Sequence, residues 1–230
     1  MRALIEAALG VFCRQGFERS QVADVAKAMG VAVGTVYLYV ESKEALFDLV
    51  VRHTSEESPA WLDALEVPVP TPAPGSTVEY LRGVFGRENQ WPVLAEALGH
   101  ERAEDSQREL EGILREQYQL MRRYRMGLLL LARSALEFPG LSEVFVLGLR
   151  QKLLTQLGRY IDSRVLAGQF RPPQNSFATA AVITQTIAWA NLQRPFDPGL
   201  ESLSEEEVEE AAIATLVHGL LERQAQAPPR

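Results

Sequence analysis

Val22, Val25, Ala26 and Met29 recur at i, i+3, i+4 and i+7, one apolar stripe of a helix that ends at Gly30. Ser20 stands ahead of the stripe with a side-chain oxygen suited to capping it, and Gly30 supplies the positive φ that a helix C-terminus favours. Asp24 lies off the stripe and is assigned to solvent. A second short helix is predicted over 32–39, with Val33 and Val36 one turn apart and facing the first helix. Its other face carries Thr35, Tyr37, Leu38 and Tyr39, hydroxylated and aromatic groups in place of the charges of an ordinary solvated helix. Glu41-Ser42-Lys43-Glu44 opens a third helix, capped by Ser42 or the residue before it.

The pattern continues as helix. The third helix runs to about residue 57, and Ser58-Pro59 begins a short helical piece holding Trp61, Leu62 and Leu65. Residues 68–75 alternate prolines that no helix interior accepts, so an extended, stiff connector is predicted there. Further helices are predicted over 77–86, 92–99, 104–138, 142–168, 174–191 and 204–224, with Pro139-Gly140, Pro172-Pro173, Pro195 and Pro198-Gly199 as punctuation. No convincing strand alternation is present. The fold class is therefore all-α: an N-terminal three-helix helix-turn-helix domain over 1–47, then a larger helical bundle over 48–230 that contains the Pro-rich connector.

In a helix-turn-helix the second helix enters the major groove and presents its N-terminal residues to base edges. Lys43, in the first turn of the next helix, joins an ammonium to backbone N–H groups and suits a phosphate. Thr35 has a methyl and a hydroxyl, which fit a thymine methyl or a phosphate. At this point the chain resembles the TetR family of bacterial transcriptional repressors. The resemblance rests on Gly30-Val31, on Gly34-Thr35-Val36-Tyr37-Leu38-Tyr39, on Ser42-Lys43-Glu44-Ala45-Leu46-Phe47, and on an opening Ile5-Glu6-Ala7-Ala8-Leu9-Gly10-Val11-Phe12 similar to that family's first helix. It covers roughly the first quarter of the chain. Two positions depart from it: Ala32 stands where the family usually has a capping Ser, and Val40 replaces a usual Phe. Loss of that cap costs about 1 kcal/mol. The DNA-contact set is Ser20, Gln21, Ala32, Val33, Gly34, Thr35, Tyr37, Leu38, Tyr39 and Lys43.

The resemblance also implies a homodimer, in which the last two helices (174–191 and 204–224) pair with their symmetry mates in a four-helix bundle. The residues agree. Phe177, Ala181, Val182, Thr184, Ala188 and Trp189 spread small and apolar groups around much of one helix, and Ile213, Leu216, Val217, Leu220 and Leu221 give the other a broad apolar face. The same family commonly places a small-molecule pocket in this bundle. Leu110, Leu114, Tyr118, Met121, Arg125 and Leu128 follow one another at three- and four-residue steps, which puts Arg125 on an apolar stripe. Trp91, Tyr118, Met121, Arg125 and Trp189 are the candidate lining. A guanidinium facing that lining favours an effector with an anionic group on an apolar body.

The net charge of −7 argues against a generally basic nucleic-acid binder. Residues 1–47 are nevertheless balanced, with Arg2, Arg14, Arg19, Lys27 and Lys43 against Glu6, Glu18, Asp24, Glu41 and Glu44. The acidity lies downstream of the DNA-facing part. At 47% apolar the 230 residues can build a large core. Cys13 is the single cysteine, which leaves no intrachain disulfide and points to the cytoplasm. Gly127-Leu128-Leu129-Leu130-Leu131-Ala132 is the most apolar stretch and is too short to span a bilayer, so no membrane partner is expected. His53, His100 and His218 lack partners at metal-ligand spacing, no Gly-x-Ser-x-Gly elbow exists, and Gly30 to Thr35 is not a phosphate loop because it lacks the Lys and follows a helix. No catalytic residue, metal site or cofactor is assigned. Two readings follow: a ligand-released dimeric repressor on double-stranded DNA with an inverted repeat, or a helical ligand-binding or interaction protein whose DNA-binding head is degenerate.

Overall fold

The computed structural model describes residues 1–56, 58–86 and 90–221. Eleven α-helices appear among them: α1 Arg2–Gln15, α2 Val22–Met29, α3 Val33–Tyr37, α4 Lys43–Ser55, α5 Ser76–Phe85, α6 Pro92–Leu98, α7 Ser106–Arg123, α8 Arg125–Ser134, α9 Gln151–Leu166, α10 Ser176–Ala188 and α11 Glu205–Leu220. Two isolated β-bridges are the extended pairings among the described residues. The chain packs as two compact units, Met1–Arg87 with Tyr124–Arg150, and Glu88–Arg123 with Gln151–Arg230. The N-terminal head lies in the first of these units.

In the first unit α1 packs on α2, α4 and α8, and its core is aromatic. Phe12, Phe17, Phe47 and Phe138 meet with ring centroids 4.8–6.2 Å apart, mostly edge to face. Phe138 follows α8, so the end of that helix is built into the head. Glu137 beside it accepts the Glu18 N–H at 3.4 Å and lies 3.8 Å from Arg19.

The second unit is a bundle in which α9 packs on α10 and α6, and α7 packs on α6, α10 and α11. Arg164 on α9 is its largest fully buried side chain. It pairs with Glu109 through Nε (2.7 Å) and Nη2 (3.0 Å), and donates to the His100 and Ala97 carbonyls and the Ser163 hydroxyl. Every guanidinium N–H has a partner, which is the condition for burying a charge without a large penalty. Burial raises the Tyr160 phenol pKa well above its usual value, and the neighbouring Glu109 carboxylate adds to the shift.

Several expectations change. The 104–138 helix is broken: Tyr124, at φ −100 and ψ 18, separates α7 from α8. The 142–168 helix is a π-helical stretch, Glu143–Arg150, followed by α9. The 174–191 helix ends in a π turn, Trp189–Gln193. The 204–224 helix stops at Leu220, and residues 222–224 lie outside the described residues. α4 ends at Ser55, and Glu57 also lies outside them. Ser204 does cap α11, reciprocally with Glu207, whose carboxyl pKa the Ser204 hydrogen bonds lower.

Candidate DNA-reading head

Ser20 does not cap α2. Its hydroxyl is buried (1% exposed) and donates to the Gly16 carbonyl at 2.6 Å, so it shapes the turn after α1. The N-cap is Gln21, whose N–H donates to Asp24 Oδ2 at 2.9 Å. Asp24 therefore closes the helix start, where an anion favours the dipole, and is not a solvated bystander. Gly30 takes φ 69, ψ 30 as the C-cap, the left-handed conformation its lack of a Cβ permits.

α3 is shorter than 32–39 and starts at Val33 after Ala32, which forms no side-chain cap bond. Val36 is buried against α2, whereas Val33 is 40% exposed and does not face the first helix. Gln21, Ala32, Val33, Gly34, Tyr37 and Leu38 are all exposed, and Thr35 and Tyr39 partly so. Leu38 is 67% exposed. A Cβ built on Gly34 meets nothing within 4 Å, and Gly34 is not among the positive-φ glycines. Nothing inside the protein therefore requires glycine there. An uncharged surface of methyls, hydroxyls and one bare backbone is what a helix pressed into a groove needs.

Lys43 has a structural task. Its Nζ donates to the Phe17 carbonyl at 3.0 Å and the Glu18 carbonyl at 3.4 Å and lies 4.2 Å from the Phe17 ring centroid. An ammonium has three donors, so one remains for a phosphate. Ser42 caps α4 by accepting the Ala45 N–H at 3.1 Å.

The Pro-rich connector is not a free linker. Val69 pairs with Val40 through Val69 N–H to the Tyr39 carbonyl (2.8 Å) and Glu41 N–H to the Val69 carbonyl (3.0 Å). Thr71 N–H donates to the Glu41 carboxylate (3.0 Å) and its hydroxyl to Ser42 Oγ (2.8 Å). This strap fixes the exit of α3 and draws the Glu41 charge onto a backbone donor. The alternation of Val and Thr between the prolines was the available signal, because each non-proline keeps an N–H to donate. From α4 the ties continue to α5: Thr77 donates to Asp48 (2.7 Å), Asp48 pairs with Arg52 (2.7 Å), and Arg52 lies over the Tyr80 ring.

Tyr118 and Trp91 are buried and Met121 is partly buried in the second unit, where Trp189 is 40% exposed on the outer side of the helix after α10. Arg125 begins α8 in the first unit, so the break at Tyr124 takes it off the α7 stripe. Among the described residues, no group of three or more His, Cys, Asp or Glu is placed to hold a metal, and no helix is long and apolar enough to cross a membrane.

The head is thus a helix-turn-helix with its second helix bare to solvent, the class of domain that reads duplex DNA. Residues 4–50 match the family described as bacterial regulatory proteins, tetR family. Over this domain the chain is similar to the TetR family. The Fatty acid metabolism regulator protein of Bacillus subtilis (strain 168) is 36% identical over 63 residues, 27% of this chain and 31% of that protein. The chain thus matches only about a third of that relative's length. Two solved structures resemble the fold along nearly all of both chains. They are the ketosteroid transcriptional regulator KstR2 of Mycobacterium tuberculosis (TM-score 0.58, 17% identity, 97% of this chain and 96% of that one) and AibR in complex with isovaleryl coenzyme A and operator DNA (TM-score 0.53, 14% identity, 94% and 97%).

Proposed function

We propose that the chain is a ligand-responsive DNA-binding transcriptional regulator: a repressor that binds an inverted repeat as a homodimer and is released by a small molecule. The observation that carries this reading is the uncharged, exposed face of α3, with Gly34 unexplained by internal packing. The DNA contacts are assigned to Gln21, Ala32, Val33, Gly34, Thr35, Tyr37, Leu38 and Tyr39, with the remaining Lys43 donor on a phosphate. Ser20 acts behind them by holding the turn.

Dimerisation is assigned to α10 and α11. Phe177, Val182 and Trp189 stay exposed on α10 and its π turn, and α11 turns Ala211, Ala214, Thr215 and His218 outward. Apolar and small groups on exposed helix faces suit a second copy of the same pair. A small-molecule effector is in keeping with the AibR likeness, whose structure holds isovaleryl coenzyme A, and with the fatty acid regulator matched through the head. The role is regulatory and not catalytic, and its place is the cytoplasm, where the DNA is.

Selection of bound fragments from a random duplex pool tests this reading. Recovery of an inverted repeat with half-sites about one helical turn, or a multiple of it, apart is expected. Recovery of no symmetric site at moderate salt would favour the reading in which the head is degenerate.

A further inference from the structure

In the second unit, the buried polar atoms left without a partner among the described residues are uncharged. Gln117 on α7 is 1% exposed, and neither its Nε2 nor its Oε1 is hydrogen-bonded. Thr184 on α10 is buried with Oγ1 unpartnered. Asn191, fully buried in the π turn, donates Nδ2 to the Ile187 carbonyl at 3.0 Å and leaves Oδ1 unpartnered. α7 packs against both α10 and that π turn, so the three side chains stand on elements that face one another.

Burying an unmatched amide costs free energy that an apolar residue of the same shape avoids. Gln117 is flanked on the inner face of α7 by Ile113, Leu114 and Tyr118, all buried, where a leucine would serve packing equally well. π turns inside helices are also frequent at functional sites. The buried cations of this unit are already committed: Arg164 uses all its donors, and Arg194 donates to the Leu203 carbonyl at 3.0 Å and lies 3.9 Å from Glu205.

We propose that Gln117, Thr184 and Asn191 recognise the carboxamide group of an otherwise apolar effector. This rests on the small-molecule part of the function proposed above and replaces an anionic effector with a neutral one. The Gln117 amide N–H donates to the ligand carbonyl, and the ligand N–H groups donate to Gln117 Oε1 and Asn191 Oδ1. Thr184 completes the set as donor or acceptor. A carboxylate has no hydrogen for those two carbonyl oxygens and would bring an unpaired charge.

The test uses the full chain without DNA, octanamide and sodium octanoate as probes, and thermal unfolding as the readout. Octanamide should raise Tm progressively with its concentration, with octanoate weaker by about tenfold or more, the factor one unmatched buried group costs. Gln117→Leu without ligand should melt above the parent chain and lose the octanamide response; a residue serving packing alone would melt lower. Thr184→Val, nearly isosteric, should weaken the response and provides the test if Gln117→Leu fails to fold. Equal shifts by both probes, no shift by octanamide up to its solubility, or a full response in both variants would overturn the proposal. A chain that binds octanamide but selects no duplex loses the DNA reading and keeps this one.

Discussion

Gly34→Ala should make the protein more stable and worse at its task. Gly34 lies in α3 at a helical φ, and a methyl added there meets no atom within 4 Å. Alanine in place of glycine inside a helix gains about 0.5–1 kcal/mol, chiefly because the unfolded chain has less freedom to lose. For a chain of this length that is a rise in Tm of roughly 1–4 °C. If α3 lies in the major groove, the methyl enters a packed interface, where overpacking costs about 1–3 kcal/mol, or roughly 5–150-fold in affinity. Thermal unfolding and fluorescence anisotropy on the selected duplex, measured on the same preparations, give both numbers. Equal or tighter DNA binding together with the gain in stability would refute close approach at Gly34. A fall in stability would refute the helical, unobstructed setting from which both numbers follow.

Lys43→Ala removes two carbonyl bonds and the Phe17 ring contact, so urea unfolding should show a loss of about 1–2 kcal/mol. It should also lower the slope of log Kd against log salt by about one; an unchanged slope would leave Lys43 a purely structural clamp. Val69→Pro deletes the N–H that ties the strap to Tyr39 and should weaken specific DNA binding severalfold while the Gln117-dependent response to octanamide persists; unaltered DNA binding would show that the strap has no part in setting α3. Cys13 is buried, donates to the Met126 carbonyl and has its thiol pKa pushed up to about 11 by desolvation. It should resist disulfide exchange reagents at pH 8 until the protein unfolds. The unfolded thiol ionises first, so stability should fall as pH rises from about 9 towards 11, and rapid native-state labelling would contradict this burial.

Periodicity located the helices well, because a buried stripe leaves a three- and four-residue pattern whatever its partner. It failed at junctions. The residues 104–138 hold a continuous helical pattern, but Tyr124 leaves helical geometry there, and nothing like a proline marks the break. The break leaves Arg125 at the start of α8. Gln117 was missed although it interrupts the apolar series Leu110, Ile113, Leu114, Tyr118, a polar residue at a core position that the sequence does display. Arg164 left no such sign, since its charge is matched by Glu109 from 55 residues away and by carbonyls of another helix end. In the head, the apolar stripe and Gly30 were legible, while the exchange of roles between Ser20 and Gln21 was not. Ser20 is the better cap by type, but its hydroxyl is taken by the Gly16 carbonyl. The strap was readable as extended but not as docked, because its partners are backbone groups of Tyr39 and Glu41.

The central claim is that a neutral helix-turn-helix surface on a dimer reads DNA sequence. The most direct measurement is the affinity of the full chain at about 0.15 M salt for the selected inverted repeat and for the same duplex with both half-sites scrambled, with the number of chains bound per duplex. An acidic protein with a neutral head gains little from counterion release, so its binding must rest on sequence-specific contacts. Two chains per duplex and a preference for the repeat of about a thousandfold or more are expected. Equal affinity for the two duplexes would contradict the account.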